Sequence, residues 1–583
     1  MDFSRPSAAT VTPVTQSIAP VQFDQTADRV IFIDFGEEWF GNLQITLTEQ
    51  QAAEIKPGDR IAVSVGEVLS GPRQIESKPG RSVRYYSKAI NLHRDQTIYT
   101  LPLTKADVRL MPASVGPVMP FRYAQIDNAP AGLKPEQVCI RAVHAPFDES
   151  AAQFDCSDPR LTAIWKLCHH TIEATSFAGL FVDGDRERTP YEADAFINQL
   201  GWYCSTTDPA VPRDTWRYLL QHPTWPTEWC MFEVLLAWND YQYTGDSHAL
   251  SEDYEQLEPR TLMALERPDG LISTVDPPVP RSLLQSLHEK RLTDIVDWPA
   301  GERDGYEMRP INTVVNAFHV IALRRLSQIA RVLQKPSDAD RLDAAAQHAL
   351  RAFNARLLDS TTGLYVDGES SGHSSIHANF FPFAFGLVPP ERRSNVAKFL
   401  AAHPMSASVY GAQFFLEALF DSSQADRAIA LMTAPGDRSW THMLDCNATL
   451  TWEAWDRRYK NNLDLNHAWG AAPANLIPRK LMGIEPLEPG FKKILICPNP
   501  GSLTWAQMRV PTVRGSVFVR VERKDGYQIT VEVPPGTTAM LGLPLASPAQ
   551  TITLDDLPVT PDRTADGAFV DSVPPGHHRL RVR

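Results

Sequence analysis

Five carboxylates and two arginines fall within the twelve residues Asp183-Gly-Asp-Arg-Glu-Arg-Thr-Pro-Tyr-Glu-Ala-Asp194. Folding gains little from such crowding, because like charges repel and are costly to bury. A site that holds a polyhydroxylated ligand and moves a proton does gain from it. Carboxylates accept hydrogen bonds from hydroxyls, and one carboxyl can be kept protonated by its neighbours. The competing reading is a solvated loop whose acids pair with Arg186 and Arg188. Within the run, Thr189-Pro-Tyr-Glu192 has the form of a helix start, with Thr189 as N-cap, Pro190 at the first helical position and Glu192 closing a capping box. Glu192 is thereby assigned to structure, and Asp183, Asp185, Arg186 and Glu187 to the loop before the helix. On that helix Ala193, Phe196, Ile197 and Leu200 share an apolar face, while Tyr191, Asp194 and Asn198 share a polar one.

Two further constellations have similar chemistry. In Thr449-Leu-Thr-Trp-Glu-Ala-Trp455, Glu453 lies between Trp452 and Trp455. Indole faces would partly desolvate it; the plainer reading is a helix-face Glu paired with Arg457. Asn466-His467-Ala-Trp469 follows shortly after. Asp297-Trp-Pro-Ala-Gly-Glu-Arg-Asp304 again mixes acids, an arginine and a tryptophan, with Asp297, Trp298 and Arg303 as candidate ligand contacts. Such mixtures suit sugars, since aromatic faces stack on C–H surfaces while acids and Arg take the hydroxyls.

Other chemistries lack their signatures. No Gly-x-Gly-x-x-Gly, P-loop, His-Glu-x-x-His or Gly-x-Ser-x-Gly occurs. His373 and His377 are four apart without a nearby acidic third ligand, so neither a metal nor a cofactor is expected. The net charge of -13 argues against general binding to nucleic acid or to an anionic membrane surface. A carbohydrate is the expected partner, and the oligomeric state is open. The seven cysteines include no Cys-x-x-Cys, which suits free thiols in a reducing compartment. The first twenty residues carry no apolar secretory core, so the cytoplasm is expected, or the periplasm or exterior if a signal has been removed.

The periodicity that must position these residues changes twice. Residues 1–20 are Ser/Thr/Pro/Ala-rich and read as a flexible tail. Over 21–150 apolar residues alternate, as in Leu43-x-Ile45-x-Leu47, Ile61-x-Val63-x-Val65 and Val138-x-Ile140-x-Ala142-x-His144, which predicts an N-terminal β-sandwich. Over 151–488 the spacing is helical. Asp158-Pro159 reads as a helix start, and one face of a later helix carries Val315, Phe318, Ala322, Leu326, Ile329 and Leu333. The connectors Gly179-Leu-Phe-Val-Asp-Gly184, Asp269-Gly-Leu-Ile and Gly363-Leu-Tyr-Val-Asp-Gly368 resemble one another, which favours a closed helical toroid over a solenoid. Over 489–583 alternation returns in Val517, Val519 and Val521, then Ile529, Val531 and Val533, with a turn at Lys524-Asp525-Gly526, giving a C-terminal β-domain. The fold class is multidomain α+β.

At these residues the chain resembles the α-L-rhamnosidases of glycoside hydrolase family 78, as a divergent, compact member. Arg186-Glu187-Arg188 is similar to the Arg-Glu-Arg of that family's acid segment, Tyr191 stands where the family has Trp, and Asp183 and Asp194 match its flanking aspartates. Thr449-Leu-Thr-Trp-Glu453 resembles the family's base segment, and Asn466-His467 its following Asn-His. The resemblance implies a central (α/α)6 barrel between an N-terminal and a C-terminal β-sandwich. It implies inverting hydrolysis that releases terminal α-L-rhamnose, with Glu187 as general acid and Glu453 as general base. Asp183, Arg186, Tyr191, Asp194 and His467 would bind the sugar, and Trp298, Trp440, Trp452 and Trp455 are candidates for the apolar wall around its methyl group. Inversion needs room for a water, so the carboxyl groups are expected about 6.5–9.5 Å apart, against ~5 Å in retaining enzymes. Because adjacent positive charge would hold the acid ionised, Arg186 and Arg188 are expected to turn toward Asp183, Asp185 or Asp194. The alternatives are a lyase on the same barrel that eliminates rhamnose from glucuronate, and a non-catalytic sugar-binding protein.

Overall fold

Alternation in the N-terminal third becomes strands β1 Val14–Ile18, β2 Gln22–Ala27, β3 Val30–Thr46, β4 Arg60–Gly66, β5 Leu69–Gly71, β6 Gln74–Ile75, β7 Tyr85–Asn91, β8 Ile98–Thr100, β9 Met119–Asp127 and β10 Val138–His144 in the computed structural model. The structure describes residues 10–80, 82–104, 116–523, 526–543, 551–564 and 567–582. Eight of these strands form one hydrogen-bonded sheet in the order β1-β10-β3-β9-β4-β7, with β2 and β8 also pairing β3, while β5 and β6 form a separate ribbon. The eight strands are thus linked by hydrogen bonds through the long strand β3. Its long member β3 carries a register shift between Asp34 and Trp39. Leu43, Ile45, Ile61, Val63, Val65, Val138 and Ile140 are all buried, as their period of two requires. Residues 14–18, expected to belong to the tail, instead form β1, antiparallel to β10 from Val14↔His144 to Ile18↔Ile140. A short polar-alternating edge strand carries too little apolar signal to stand out from a tail.

Asp158 caps the first helix of the central region, Pro159–Ala174, by accepting from the Arg160 and Leu161 amides. Six inner helices then pack in a closed circuit. Glu192–Tyr203 packs on Thr227–Thr244, that on Thr313–Val332, then Ile376–Ala384, Val409–Asp421 and Pro473–Leu476, which returns to Glu192–Tyr203. Five of them contribute one phenylalanine each to a closed ring. Centroid separations run Phe196–Phe232 4.8 Å, Phe232–Phe318 4.9 Å, Phe318–Phe381 5.2 Å, Phe381–Phe414 4.8 Å and Phe414–Phe196 5.7 Å. These distances suit edge and offset aromatic packing, and they fill the middle of the circuit. Two of the similar connectors are held identically. Asn316 exchanges both amide hydrogen bonds with the backbone of Ile272, and Asn379 does the same with Tyr365.

Beyond the helices lie a seven-stranded and a five-stranded sheet. The first includes β11, Gln153–Cys156, which precedes the helices in the chain but pairs with Ala506–Arg509. The antiparallel pairing of Gly515–Glu522 with Tyr527–Val533 agrees with the expected hairpin, although Lys524 and Asp525 of its turn lie outside the described residues. Among the described residues no helix is long and apolar enough to cross a membrane.

Candidate active site

The acidic run is a loop closed on itself. The Asp183 amide donates to the Thr189 carbonyl (3.0 Å) and the Thr189 amide to Asp183 Oδ1 (2.9 Å). The helix therefore starts later than the sequence signature suggests, at Glu192, with Tyr191 as an N-cap that makes no side-chain cap. The Thr189 hydroxyl donates to the Glu187 carbonyl (3.3 Å) instead of capping the helix. Glu192 is structural but closes no capping box: it is buried, accepts from the Thr224 amide and hydroxyl, and burial lifts its pKa to about 7. Gly184 has φ +114°, and a Cβ there would stand 2.9 Å from the Asn466 carbonyl oxygen, so both the dihedral and the close approach require glycine.

That approach joins the acidic loop to the second constellation. The Asp185 amide donates to Asn466 Oδ1 (2.9 Å) and the Arg186 amide to Asp464 Oδ2 (3.2 Å). Residues 451–467 form an irregular double-back instead of a helix. The Glu453 amide donates to the Asp464 carbonyl, the Asp464 amide to Glu453 Oε2, and the His467 amide to the Thr451 carbonyl. Glu453 pairs with Lys460 (3.0 Å) and Arg186, not with Arg457.

Glu187 and Glu453 thus line one cavity of about 620 Å³, together with Asp183, Arg186, Tyr191, Asp194, Trp298 and His467. Arg186 donates from one guanidinium nitrogen to Glu187 (2.7 Å) and from the other to Glu453 (2.6 Å). This corrects the expectation that both arginines avoid Glu187. Arg188 does turn to Asp185 and is buried, but Arg186 sits between the two glutamates, where Glu453, Asp464 and Glu187 attract it. Tyr191 donates to the other oxygen of Glu187 (2.6 Å). His467 Nε2 lies 2.8 Å from Asp194 Oδ1, and burial pulls the imidazole pKa down to about 3, so the ring is neutral. Burial and then the charge of Glu187 push the Asp183 carboxyl well up; burial likewise raises Asp194, aided by Glu187. Asp464 is lifted to about 8 by burial and by Glu453.

Five proposed contacts are not brought to the cavity. Asp297 is buried and ties Ser408 and His377 together, and Arg303 donates to its backbone oxygen. Trp440 donates to the Gly470 carbonyl and Trp455 to that of Ala407, the two indoles packing edge to face at 4.9 Å in the core. Trp452 faces a second cavity of about 160 Å³ that also contains Glu38, Glu67 and Arg122. A buried polar run and an apolar indole next to a glutamate look alike in sequence whether they line a pocket or fill a core.

The residues that line the cavity in their place are Trp225, Trp229, Trp469 and the run Arg457–Asn462. Trp229 and Trp469 pack on Tyr410, which packs on Phe414, so the aromatic ring of the core continues into the cavity wall. Trp469 stands in the quoted Asn466-His-Ala-Trp motif, and the 457–462 run directly follows the Glu453 segment; both signals were local. Trp225 and Trp229 come from a different helix start and carry no such signal. Glu453, Asp464 and His467 each place a possible metal-ligand atom within 4.8 Å of the others. Arg186 and Lys460 already bring positive charge to Glu453, so a cation there would meet repulsion, and the donor set does not fit a resident metal.

The helical region, residues 149–481, matches the model of the bacterial α-L-rhamnosidase six-hairpin glycosidase domain, and residues 483–552 match the bacterial α-L-rhamnosidase C-terminal domain. The chain belongs to this family. It is 23% identical to an α-L-rhamnosidase of Streptomyces avermitilis, over 92% of this chain and 53% of that protein, and 22% identical to one of Alteromonas sp. (strain LOR), over 89% and 56%. It therefore spans about half the length of the curated relatives it matches. Its fold is similar to the structure of the α-L-rhamnosidase from Dictyoglumus thermophilum (TM-score 0.77, 16% identity, 98% of this chain and 64% of that one). It is also similar to that of the Streptomyces avermitilis enzyme complexed with L-rhamnose (TM-score 0.78, 18% identity, 98% and 54%).

Proposed function

We propose that the chain is an inverting glycoside hydrolase that releases terminal α-L-rhamnose from a rhamnoside. Its closed circuit of inner helices is read as an (α/α)6 barrel, and the β-regions as flanking sandwiches. The observation that carries the reading is Arg186 bridging Glu187 and Glu453 across one cavity. The guanidinium holds both carboxyls in one site, and inversion by this pair requires a separation of about 6.5–9.5 Å with a water between them.

In the reaction Glu187 gives its proton to the glycosidic oxygen as the C1–O bond breaks. Glu453 removes a proton from a water whose oxygen bonds to C1 from the opposite face. The cycle leaves Glu187 ionised and Glu453 protonated, and exchange with solvent resets both. The carboxyls of Glu187, Glu453 and Asp464 crowd around Arg186, Lys460 adds a second cation at Glu453, and Asp183 and Asp194 line the same cavity. The raised values of Asp183, Asp194 and Asp464 keep protons beside Glu187. His467 Nδ1, Arg186 Nε and Asp464 Oδ1 are buried without a hydrogen-bond partner among the described residues, which suits groups that meet a ligand. With Nε2 donating to Asp194, His467 Nδ1 is an acceptor for a ring hydroxyl. Asp183, Asp194 and Tyr191 take further hydroxyls, and Trp298 offers an apolar face. An aryl α-L-rhamnoside and natural rhamnosides test the reading. Turnover should fall about 10²–10⁴-fold in Glu187→Gln on unactivated substrates, with an unchanged melting temperature. Full activity of that variant, or an absorbing unsaturated uronate in place of free L-rhamnose, would reject it.

A further inference from the structure

Charge in the cavity changes with depth. Asp183, Asp194 and Glu453 are buried at its base. At its mouth Arg457, Arg458, Tyr459, Lys460, Asn461 and Asn462 all line it in one continuous run. Two of the three cations in the run are committed: Lys460 to Glu453 (3.0 Å), and Arg458 to Asp437 (2.7 Å) and Asp456 (3.3 Å). Arg457 is exposed and has no ion-pair or hydrogen-bond partner among the described residues. Its guanidinium extends over the loop at Gly80, with a nitrogen 3.6 Å from where a Cβ at 80 would stand. The same mouth carries half-buried Trp225 and Trp298, edge to face at 6.3 Å.

A chain of net charge -13 repels anions in general, so an uncommitted arginine at the mouth of its sugar-sized cavity is a local exception. A neutral leaving group would stack on the indoles but offer Arg457 only uncharged hydroxyl acceptors. A sugar carrying a carboxylate would use both, because a guanidinium takes a carboxylate through two parallel hydrogen bonds and an indole face takes the C–H face of a pyranose. We infer that the leaving-group side of this cavity accepts a uronic acid, its carboxylate on Arg457, its ring against Trp298, and its hydroxyls on the amides of Asn461 and Asn462. The inference rests on the glycosidase reading above and names the substrate class of that site.

The test compares α-L-rhamnosyl-D-glucuronic acid with α-L-rhamnosyl-D-glucose, each in 2- and 4-linked form, with an aryl α-L-rhamnoside alongside. For one linkage the acid should be preferred by about tenfold in kcat/KM, the scale of one hydrogen-bonded ion pair. That preference should shrink with added salt, disappear in Arg457→Gln and return in part in Arg457→Lys. Equal rates on acid and neutral partner, or a preference unchanged in Arg457→Gln, would overturn the inference. Aryl rhamnoside turnover without a preference for the acid would overturn this inference alone. Inertness on every rhamnoside would overturn the glycosidase reading with it.

Discussion

The N-terminal sheet and the C-terminal sheets both pack on the helical domain, but they meet it at different places relative to the cavity. The N-terminal sheet sends charged and polar side chains to the loops that hold the two glutamates. Asn466, whose Oδ1 receives the Asp185 amide, donates from its nitrogen to Glu38 (3.2 Å) and Glu67 (2.8 Å). Arg84 pairs with Asp185, Ser82 donates to the Asn462 carbonyl (2.6 Å), and Arg188 donates to the Val118 carbonyl (2.8 Å). The apolar core of that sheet also takes in Phe177, Val182 and Leu450, with Phe40 stacked on Phe177 at 3.9 Å. The C-terminal sheets instead meet the helices away from the residues that line the cavity, and there Glu485 pairs with Arg479 (3.2 Å) and Lys480 (3.3 Å). The Thr504 amide donates to Ser157 Oγ, the Asn499 amide to the Leu481 carbonyl, and Phe491 packs on Tyr243. One β region is thus part of the active-site frame, and the other buttresses the helices from behind. The lesson is that a sheet outside the helices can help fix the loops that carry Glu187 and Glu453, with the Asn466 amide at the centre of the junction.

Breaking that amide should have the largest effect. Asn466→Ala strips the donor from two buried carboxyls and the acceptor from the Asp185 amide, and should cost about 2–4 kcal/mol of stability. Turnover should fall at least about tenfold with it, as the Glu187 loop loses its registration on the Glu453 loop. Thermal melts and kcat together check this; loss of stability with full turnover would demote the junction to packing. Gly184→Ala acts at the same approach from the other side and should cost about 1–3 kcal/mol through its positive φ and the contact with Asn466.

A subtler effect is on pH. Burial raises Glu38 from 4.5 to about 8, and it is hydrogen-bonded to Glu67, which is also raised. Carboxyls in that arrangement hold a proton that the unfolded chain gives up above pH 4.5. Their stabilisation is therefore complete below pH 4.5 and is lost as pH rises through about 8. Melting temperature should fall across that window in the parent protein and fall less steeply in Glu38→Gln. The C-terminal counterpart supplies the smallest effect. Ser157→Ala removes the acceptor for the Thr504 amide and should cost only about 0.5–1.5 kcal/mol, with kcat/KM unchanged.

Much of the helical domain was legible in the sequence, because Asp158-Pro159 and the apolar face of 312–333 follow strong local rules, and Asn312 does cap Thr313–Val332. Glu187, Glu453, Asp194 and His467 were legible as motifs. The frame was not. Glu38 follows Glu37 within β3, Glu67 lies just past β4, and their partner Asn466 lies some four hundred positions along the chain, so no local spacing announces the pairing. The tryptophans misled for a related reason. Trp440 and Trp455 spend their indole N–H groups on core carbonyls, whereas Trp225 and Trp229 reach the cavity from a helix start outside the three acidic constellations.

Under the proposed inverting mechanism, water attacks C1 on the face opposite the departing oxygen. Proton NMR of the first rhamnose released from an α-L-rhamnoside tests this most directly. β-L-rhamnose appearing first, followed by mutarotation to the mixture, is the result expected; α-L-rhamnose appearing first would contradict it.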